Sequence, residues 1–136
     1  MRGRVAVGGA AGPAPVIFTT DPLSLWGGFD PHSGLVIDAH HPLLGVSLSG
    51  RIVVMPAGRG SSTSSAILLE SVRARTAPAA FVFQRIDPVF AIGALVAEKL
   101  YGRTVPMVIV ENEQDFSAFA TAAEASWDEG GDISVR

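Results

Sequence analysis

The sequence predicts a mixed α/β layered domain, and three observations predict it. Apolar residues come in short runs broken by glycine and proline, the pattern of strands bounded by turns. The second half alternates such runs with longer segments that carry helix start and stop signals. The first half is strand-rich, which places β-hairpins on one side of the layers.

The elements follow in order. Residues 4–7 and 15–19 read as strands. The basic start and the Gly/Pro-broken apolar stretch of "MRGRVAVGGAAGPAPV" fit a strand pair rather than a signal peptide. Residues 19–34 are turn-rich, with two Asp-Pro steps and a Gly-Gly pair. Short strands are expected at 35–37, 46–48 and 52–55, the last two joined across Ser49-Gly50. A helix follows from about 64 to 75, and "PAAFVFQ" reads as a buried strand. "DPVFAIGALVAEKLYG" has a helix's punctuation: Asp87 at the N-cap, Pro88 in the first turn and Gly102 past the end. "PMVIV" is another buried strand. Asp115 then caps a last helix through Trp127, followed by a polar tail. No internal repeat is visible.

A chain of 136 residues fits one domain, residues 1–136, that buries roughly 65–70% of its unfolded surface. With 48% hydrophobic and 17% charged residues, disorder is excluded. No apolar run approaches the roughly 20 residues that cross a bilayer, so no membrane partner is expected. The absence of cysteine excludes disulfides, a thiolate nucleophile and iron–sulfur ligation by this chain, and it fits a cytoplasmic protein. A net charge of −3 provides no basic footprint for nucleic acid. A mean hydropathy of +0.36 with so little charge favours a partner subunit over exposed apolar surface, a well-packed core being the alternative.

"VMPAGRGSSTSSAILLE", residues 54–70, is the least generic stretch. It runs from an apolar strand through a basic, glycine-broken turn and a hydroxyl-rich run into an apolar helix. A helix N-terminus there presents free N–H groups and a partial charge of about +0.5. Gly58 and Gly60 allow positive φ and close approach of a ligand. Arg59 adds a forked donor suited to carboxylate or phosphate. Together these make an anion site in which a serine hydroxyl sits where negative oxygen is stabilised. The alternative is that Ser61 or Ser62 only caps the helix and Arg59 is solvated. The stretch lacks the lysine of a phosphate-binding P-loop, the third glycine of a dinucleotide fingerprint and the trailing glycine of a hydrolase elbow.

His32, His40 and His41 read as surface loop histidines. A metal site would need a third or fourth ligand on one face, and a Ser61–His–Asp triad has no local signature. The stretch "LWGGFDP" sets Trp26 and Phe29 around Gly27 and Gly28, with Asp30 following. Either the two aromatics close the loop onto the core, or they form a contact surface of the kind where Trp is enriched. Asp87 reads as an N-cap, with Arg85 on the exposed side of a strand end.

In order, "SLWGGFDPHSG", "HPLLGVSLSGRIVVMPAGRGSSTSS" and "APAAFVFQRIDPVFAIGALVAEKLYGRTVPMV" resemble the small subunit, or swivel domain, of the aconitase X family. The resemblance covers about residues 3–112 and leaves 113–136, the expected helix and tail, outside it. It implies a swivelling β/β/α three-layer domain. It implies a large catalytic subunit as partner, carrying a cysteine-bound iron–sulfur cluster that polarises the leaving hydroxyl, with no cofactor on this chain.

The implied reaction is dehydration of a small hydroxylated carboxylic acid. Cis-3-hydroxy-L-proline is the first candidate substrate and mevalonate 5-phosphate the second. The implied proton-abstracting base is the first serine after the glycine of the turn, Ser61, with Ser62 the second choice. Arg59, Gly60 and Ser62 would bind substrate, and Trp26, Gly27, Gly28, Phe29 and Asp30 would form an interface or lid. The rival reading is a non-catalytic scaffold that keeps the fold and binds an anion at the turn.

Overall fold

The computed structural model describes residues 1–59, 63–85 and 88–136. Gly60, Ser61, Ser62, Ile86 and Asp87 lie outside the described residues, and with them the expected cap at Asp87. The chain runs through β1 (Arg4–Val7), β2 (Ala11–Phe18), β3 (Leu23–Ser24), β4 (Ile52–Met55), β5 (Gly58–Arg59) and α1 (Thr63–Arg73). It continues through β6 (Ala80–Phe83), α2 (Pro88–Tyr101), β7 (Met107–Ile109), α3 (Glu113–Ser117), a 3₁₀ turn (Ala118–Thr121), β8 (Glu124–Trp127) and β9 (Ile133–Val135).

β4 and β6 are apolar and buried at every position. Such continuous apolar runs, rather than alternating ones, mark strands covered on both faces, as in parallel sheets. The two pair in parallel, Ile52 opposite Ala80 and Met55 opposite Phe83. β2 flanks β4 and β7 flanks β6, both in parallel. β1 joins β7 antiparallel, while β8 and β9 extend antiparallel from β2, giving the order β1-β7-β6-β4-β2-β8-β9.

Side chains alternate between two cores because successive strand residues point to opposite faces. Val53, Met55, Phe81, Phe83, Met107 and Ile109 pack against α1, α2 and the 19–51 connection. Phe90 of α2 meets Phe81 and Phe83 edge-on, at centroid distances of 5.4 and 5.6 Å. Ile52, Val54, Val82, Val108 and Val110 face Phe116, Phe119, Trp127 and Ile133 in the second core.

The sheet curls around that second core until β9 reaches the N-terminus. Ile133 N donates to Met1 O at 2.7 Å, Gly3 N donates to Gly131 O at 2.8 Å, and Arg2 bridges Asp132. Gly131 is needed at this seam: its φ is +87°, and a Cβ there would lie 2.5 Å from Gly3 O.

Several sequence expectations are corrected. β1 and β2 do not pair with each other. Residues 35–37 and 46–48 form only isolated bridges, Phe29 to Val36 and Leu35 to Ser47. No hairpin joins 46–48 to β4, because the intervening turn is tied elsewhere: Gly50 N donates to Ala77 O, and Ser49 Oγ to Thr76 O. That tether delivers Ile52 into a parallel slot.

The expected helix from 115 to 127 is three elements. Asn112, not Asp115, is the N-cap, its side chain accepting from Asp115 N. The helical path ends at Thr121, and β8 follows with a half-buried/buried alternation at 124–127. The polar tail supplies β9.

α1 and α2 approach closely at Gly93, where an added Cβ would sit 2.8 Å from Ser65 O and 3.1 Å from Ser65 Cα. Both contacts are backbone and cannot swing away. Alanine gains about 1 kcal/mol over glycine in a helix, but overpacking costs about 1–3 kcal/mol. Gly93→Ala should therefore destabilise the protein by up to roughly 2 kcal/mol in denaturant unfolding; an increase in stability would contradict this helix contact.

Candidate functional site

Ligand sites on parallel α/β sheets lie beyond the carboxyl ends of the strands, and here the distinctive residues gather at that edge. β4 and β6 end side by side: Gln84 N and Arg85 N both donate to Pro56 O at 3.0 Å. The chain then departs from the expected turn. Gly58 and Arg59 are extended as β5 and pair in parallel with β3, Leu23 opposite Gly58 and Ser24 opposite Arg59. Gly58 thus serves a strand rather than a left-handed turn. Arg59 is exposed, and its guanidinium has no hydrogen-bond or ion-pair partner among the described residues. Three residues of the hydroxyl-rich segment, Gly60, Ser61 and Ser62, lie outside the described residues; in sequence they stand between β5 and α1.

The β3–β5 pairing brings the Trp26 loop to the first turn of α1. Ser64, 1% exposed, accepts a hydrogen bond from Trp26 N at 3.4 Å. Ser24 Oγ donates to Trp26 O at 3.1 Å. Trp26 itself is 59% exposed, whereas Phe29 is buried in the helix-side core. The two aromatics therefore separate: Phe29 anchors the loop, and Trp26 projects from it next to the helix start.

Gly27 has φ +78° with open space around it. At Gly28 any Cβ would collide with Ser24 O, and Gly28 O accepts from Ile37 N at 2.9 Å. Asp30 closes the next turn, its carboxylate accepting from His32 N at 2.9 Å and Ser33 Oγ at 2.8 Å. The His32 amide, and after it the Ser33 hydroxyl, hold its carboxyl below the usual carboxylate range.

His41 departs from the surface-loop expectation. It is buried, its Nδ1 accepting from Leu43 N at 3.1 Å and its Nε2 donating to Asp21 O at 3.0 Å. These bonds assign the tautomer that carries its proton on Nε2. His32 and His40 are exposed. Arg85 opens on a polar cleft of about 540 Å³ shared with Arg4, Gln84, Glu111 and Glu113. Two carboxylates balance two guanidiniums there, so the cleft offers an anion no net charge. Among the described residues, no three His, Asp or Glu side chains assemble as a metal ligand set. No helix among them is long and apolar enough to cross a membrane.

The family model "Aconitase X swivel domain" matches residues 1–135. The chain belongs to the aconitase X swivel domain family. Its match includes the C-terminal segment that the motifs in the sequence left uncovered. The crystal structure of Thermococcus kodakaraensis aconitase X (holo-form) superposes with a TM-score of 0.81 at 28% identity, over 99% of this chain and 96% of that one. The swivelling β/β/α fold class is thereby established.

A cis-3-hydroxy-L-proline dehydratase from Pseudomonas aeruginosa is 44% identical over 82% of this chain and 19% of its own length. A phosphomevalonate dehydratase small subunit from Methanothermobacter thermautotrophicus is 42% identical over 63% of this chain and 66% of its own. This swivel domain thus spans less than a fifth of the length of the hydroxyproline dehydratases it matches, 19% and 16%.

Sequence reading missed the positioning roles of Ser24 and Ser64. Only the strand pairing at Ser24–Arg59 and the burial of Ser64 set them apart from neighbouring hydroxyls. Asp30→Asn should be less stable than wild type at neutral pH. A carboxylate with a depressed folded-state pKa stabilises above its unfolded value and loses that contribution as pH falls through the folded one. The gap in melting temperature should therefore close as pH drops below about 4; a gap independent of pH would remove the role of the charge.

Proposed function

We propose that this swivel domain is the small-subunit part of a dehydratase that removes water from a hydroxylated carboxylic acid, with cis-3-hydroxy-L-proline as substrate. The observation that carries the proposal is its 44% identity to a cis-3-hydroxy-L-proline dehydratase across 82% of the chain. The equally recognisable phosphomevalonate relatives make mevalonate 5-phosphate the second reading. That substrate adds a phosphate, and the cleft beside Arg85, balanced by Glu111 and Glu113, offers no additional positive site for it.

The residues of this chain divide the work as follows. Ser61, acting as its alkoxide, takes the proton from the carbon next to the carboxylate and becomes the neutral hydroxyl. The electron pair forms the carbon–carbon double bond, and hydroxide leaves the neighbouring carbon. The departing hydroxide takes up a proton from solvent, to which Ser61 later returns one, so that the products are a pyrroline carboxylate and water. A serine hydroxyl is a poor base, and each pKa unit of mismatch costs about 1.4 kcal/mol. It therefore needs a preorganised positive field, which the N-terminus of α1 and the exposed Arg59 supply. Arg59 holds the carboxylate through its fork, Gly60 and Ser62 complete the cradle, and Trp26 shields it. A cysteine-free chain does not fit an iron–sulfur cluster. The cluster belongs to the large subunit of the proposed assembly.

Ser61→Ala keeps the backbone donors and removes one oxygen. In the complex reconstituted with the large subunit, kcat should fall by about 10²–10⁴-fold with KM little changed. A serine that only caps α1 would instead cost about 0.5–2 kcal/mol of stability and leave kcat intact. Ser62→Ala should be milder. Arg59→Lys should chiefly raise KM, because a point charge cannot reproduce a bidentate contact. Turnover of mevalonate 5-phosphate and not of cis-3-hydroxy-L-proline would select the second reading, and turnover of neither would leave the scaffold.

A further inference from the structure

α2 has its amphipathicity inverted. The side it buries is built from small residues, Gly93, Ala94 and Ala97, with Phe90 the one large side chain. The side it exposes carries large aliphatics: Ile92 at 55% exposure, Leu95 at 50%, Val96 at 37% and Leu100 at 62%. At 100° per residue these four fall within one stripe about 140° wide, which exposed Lys99 also enters. The helix carries two charges, Glu98 and Lys99, near its end, and an exposed aliphatic patch of this kind marks an interaction surface. The stripe continues into a groove between the two helices, lined by Ser65, Ala66, Leu69, Ile92, Gly93 and Val96. Ser65 and Ala66 belong to the start of α1, the part of the helix that follows the proposed base. Exposed Trp26 is tied to the same helix turn through the bond from its amide to Ser64.

Resting on the reading above, we propose that the α2 stripe and the α1–α2 groove seat the large subunit of the dehydratase. Area decides between this occupant and a second copy of the chain. α2 has 14 residues, about 21 Å of length at about 1.5 Å per residue and about 10 Å of width. Two-fold pairing through that strip covers a footprint on the order of 200 Å², far short of the roughly 800 Å² per partner of a stable interface. A larger partner that spans the stripe, the groove and Trp26 reaches that size. Such a partner also reaches toward Arg59, which has no partner among the described residues. The relatives fit this division, since the matching segment in the Pseudomonas protein is 19% of a much longer chain.

The test uses the chain together with the large aconitase X subunit of the same organism, bearing an affinity tag. Leu95→Glu/Leu100→Glu should weaken binding of the large subunit by on the order of 100-fold. The isolated variant should melt as wild type does, because both side chains are exposed. Should the double variant unfold, Ile92→Asp replaces it. Ser134→Glu on the exposed side of β9 should leave binding unchanged.

Wild-type affinity in the charged variants overturns the proposal, as does a wild-type chain that does not bind the large subunit at all. An isolated wild-type dimer that the variants dissociate, with the mixed complex unaffected, assigns the stripe to a second copy instead. Dehydratase assays on the wild-type complex separate the two readings. A complex that assembles through the stripe but dehydrates no hydroxy acid ends the proposed function and leaves the docking surface standing. An active complex indifferent to the stripe ends the docking surface alone.

Discussion

The parallel contact between β4 and β6 is the constraint on which the rest of the structure depends. Both strands are buried on both faces, so each must be covered by a layer on either side. Parallel pairing also forbids a tight turn between neighbours and requires a crossover each time. α1 provides one crossover and α2 the next, and the 19–51 segment provides the third, from β2 to β4. All three pack on one side, while the curl of the sheet covers the other. The strands consequently end at one edge, with Pro56, Gln84 and Arg85 hydrogen-bonded together.

That edge explains how the hydroxyl-rich segment is partitioned. Ser64 points inward and receives the Trp26 loop, and Ser71 is buried with its hydroxyl donating to Leu68 O at 2.7 Å. These hydroxyls serve the helix and its neighbours. Arg59 is directed to the edge by a strand pairing rather than by a flexible glycine turn, so its position is tied to Ser24 and, through Ser24, to Trp26. The loop is fixed at one end by buried Leu25 and at the other by buried Phe29 and the Asp30 turn, and Trp26 is its exposed aromatic. Rigid placement of the groups around a reacting atom is what gives preorganised electrostatics its magnitude.

The doubly buried strands and both long helices were legible because their signals are strong: uninterrupted apolar runs, and a proline and glycine placed at the ends of α2. The connection from 19 to 51 was not. Its order comes from long-range bonds, such as Thr76 Oγ1 to Pro31 O and His41 Nε2 to Asp21 O, which no local pattern encodes. The C-terminal segment was misjudged because "EQDFSAFATAAEA" has helical composition throughout. Its alternation of burial begins only once Ala125 and Trp127 have a sheet to join. At the site, the sequence singled out Arg59 and Trp26, while the inward role of Ser64 required the packed helix.

The most direct measurement on the proposed chemistry is exchange of the substrate's α-proton with solvent deuterium, followed by NMR in the reconstituted complex. It reads proton abstraction separately from loss of water. With Ser61 intact the α-position should take up deuterium, and with Ser61→Ala exchange should fall in parallel with turnover. A Ser61→Ala complex that exchanges the α-proton at the wild-type rate would contradict the account and place the base outside this chain.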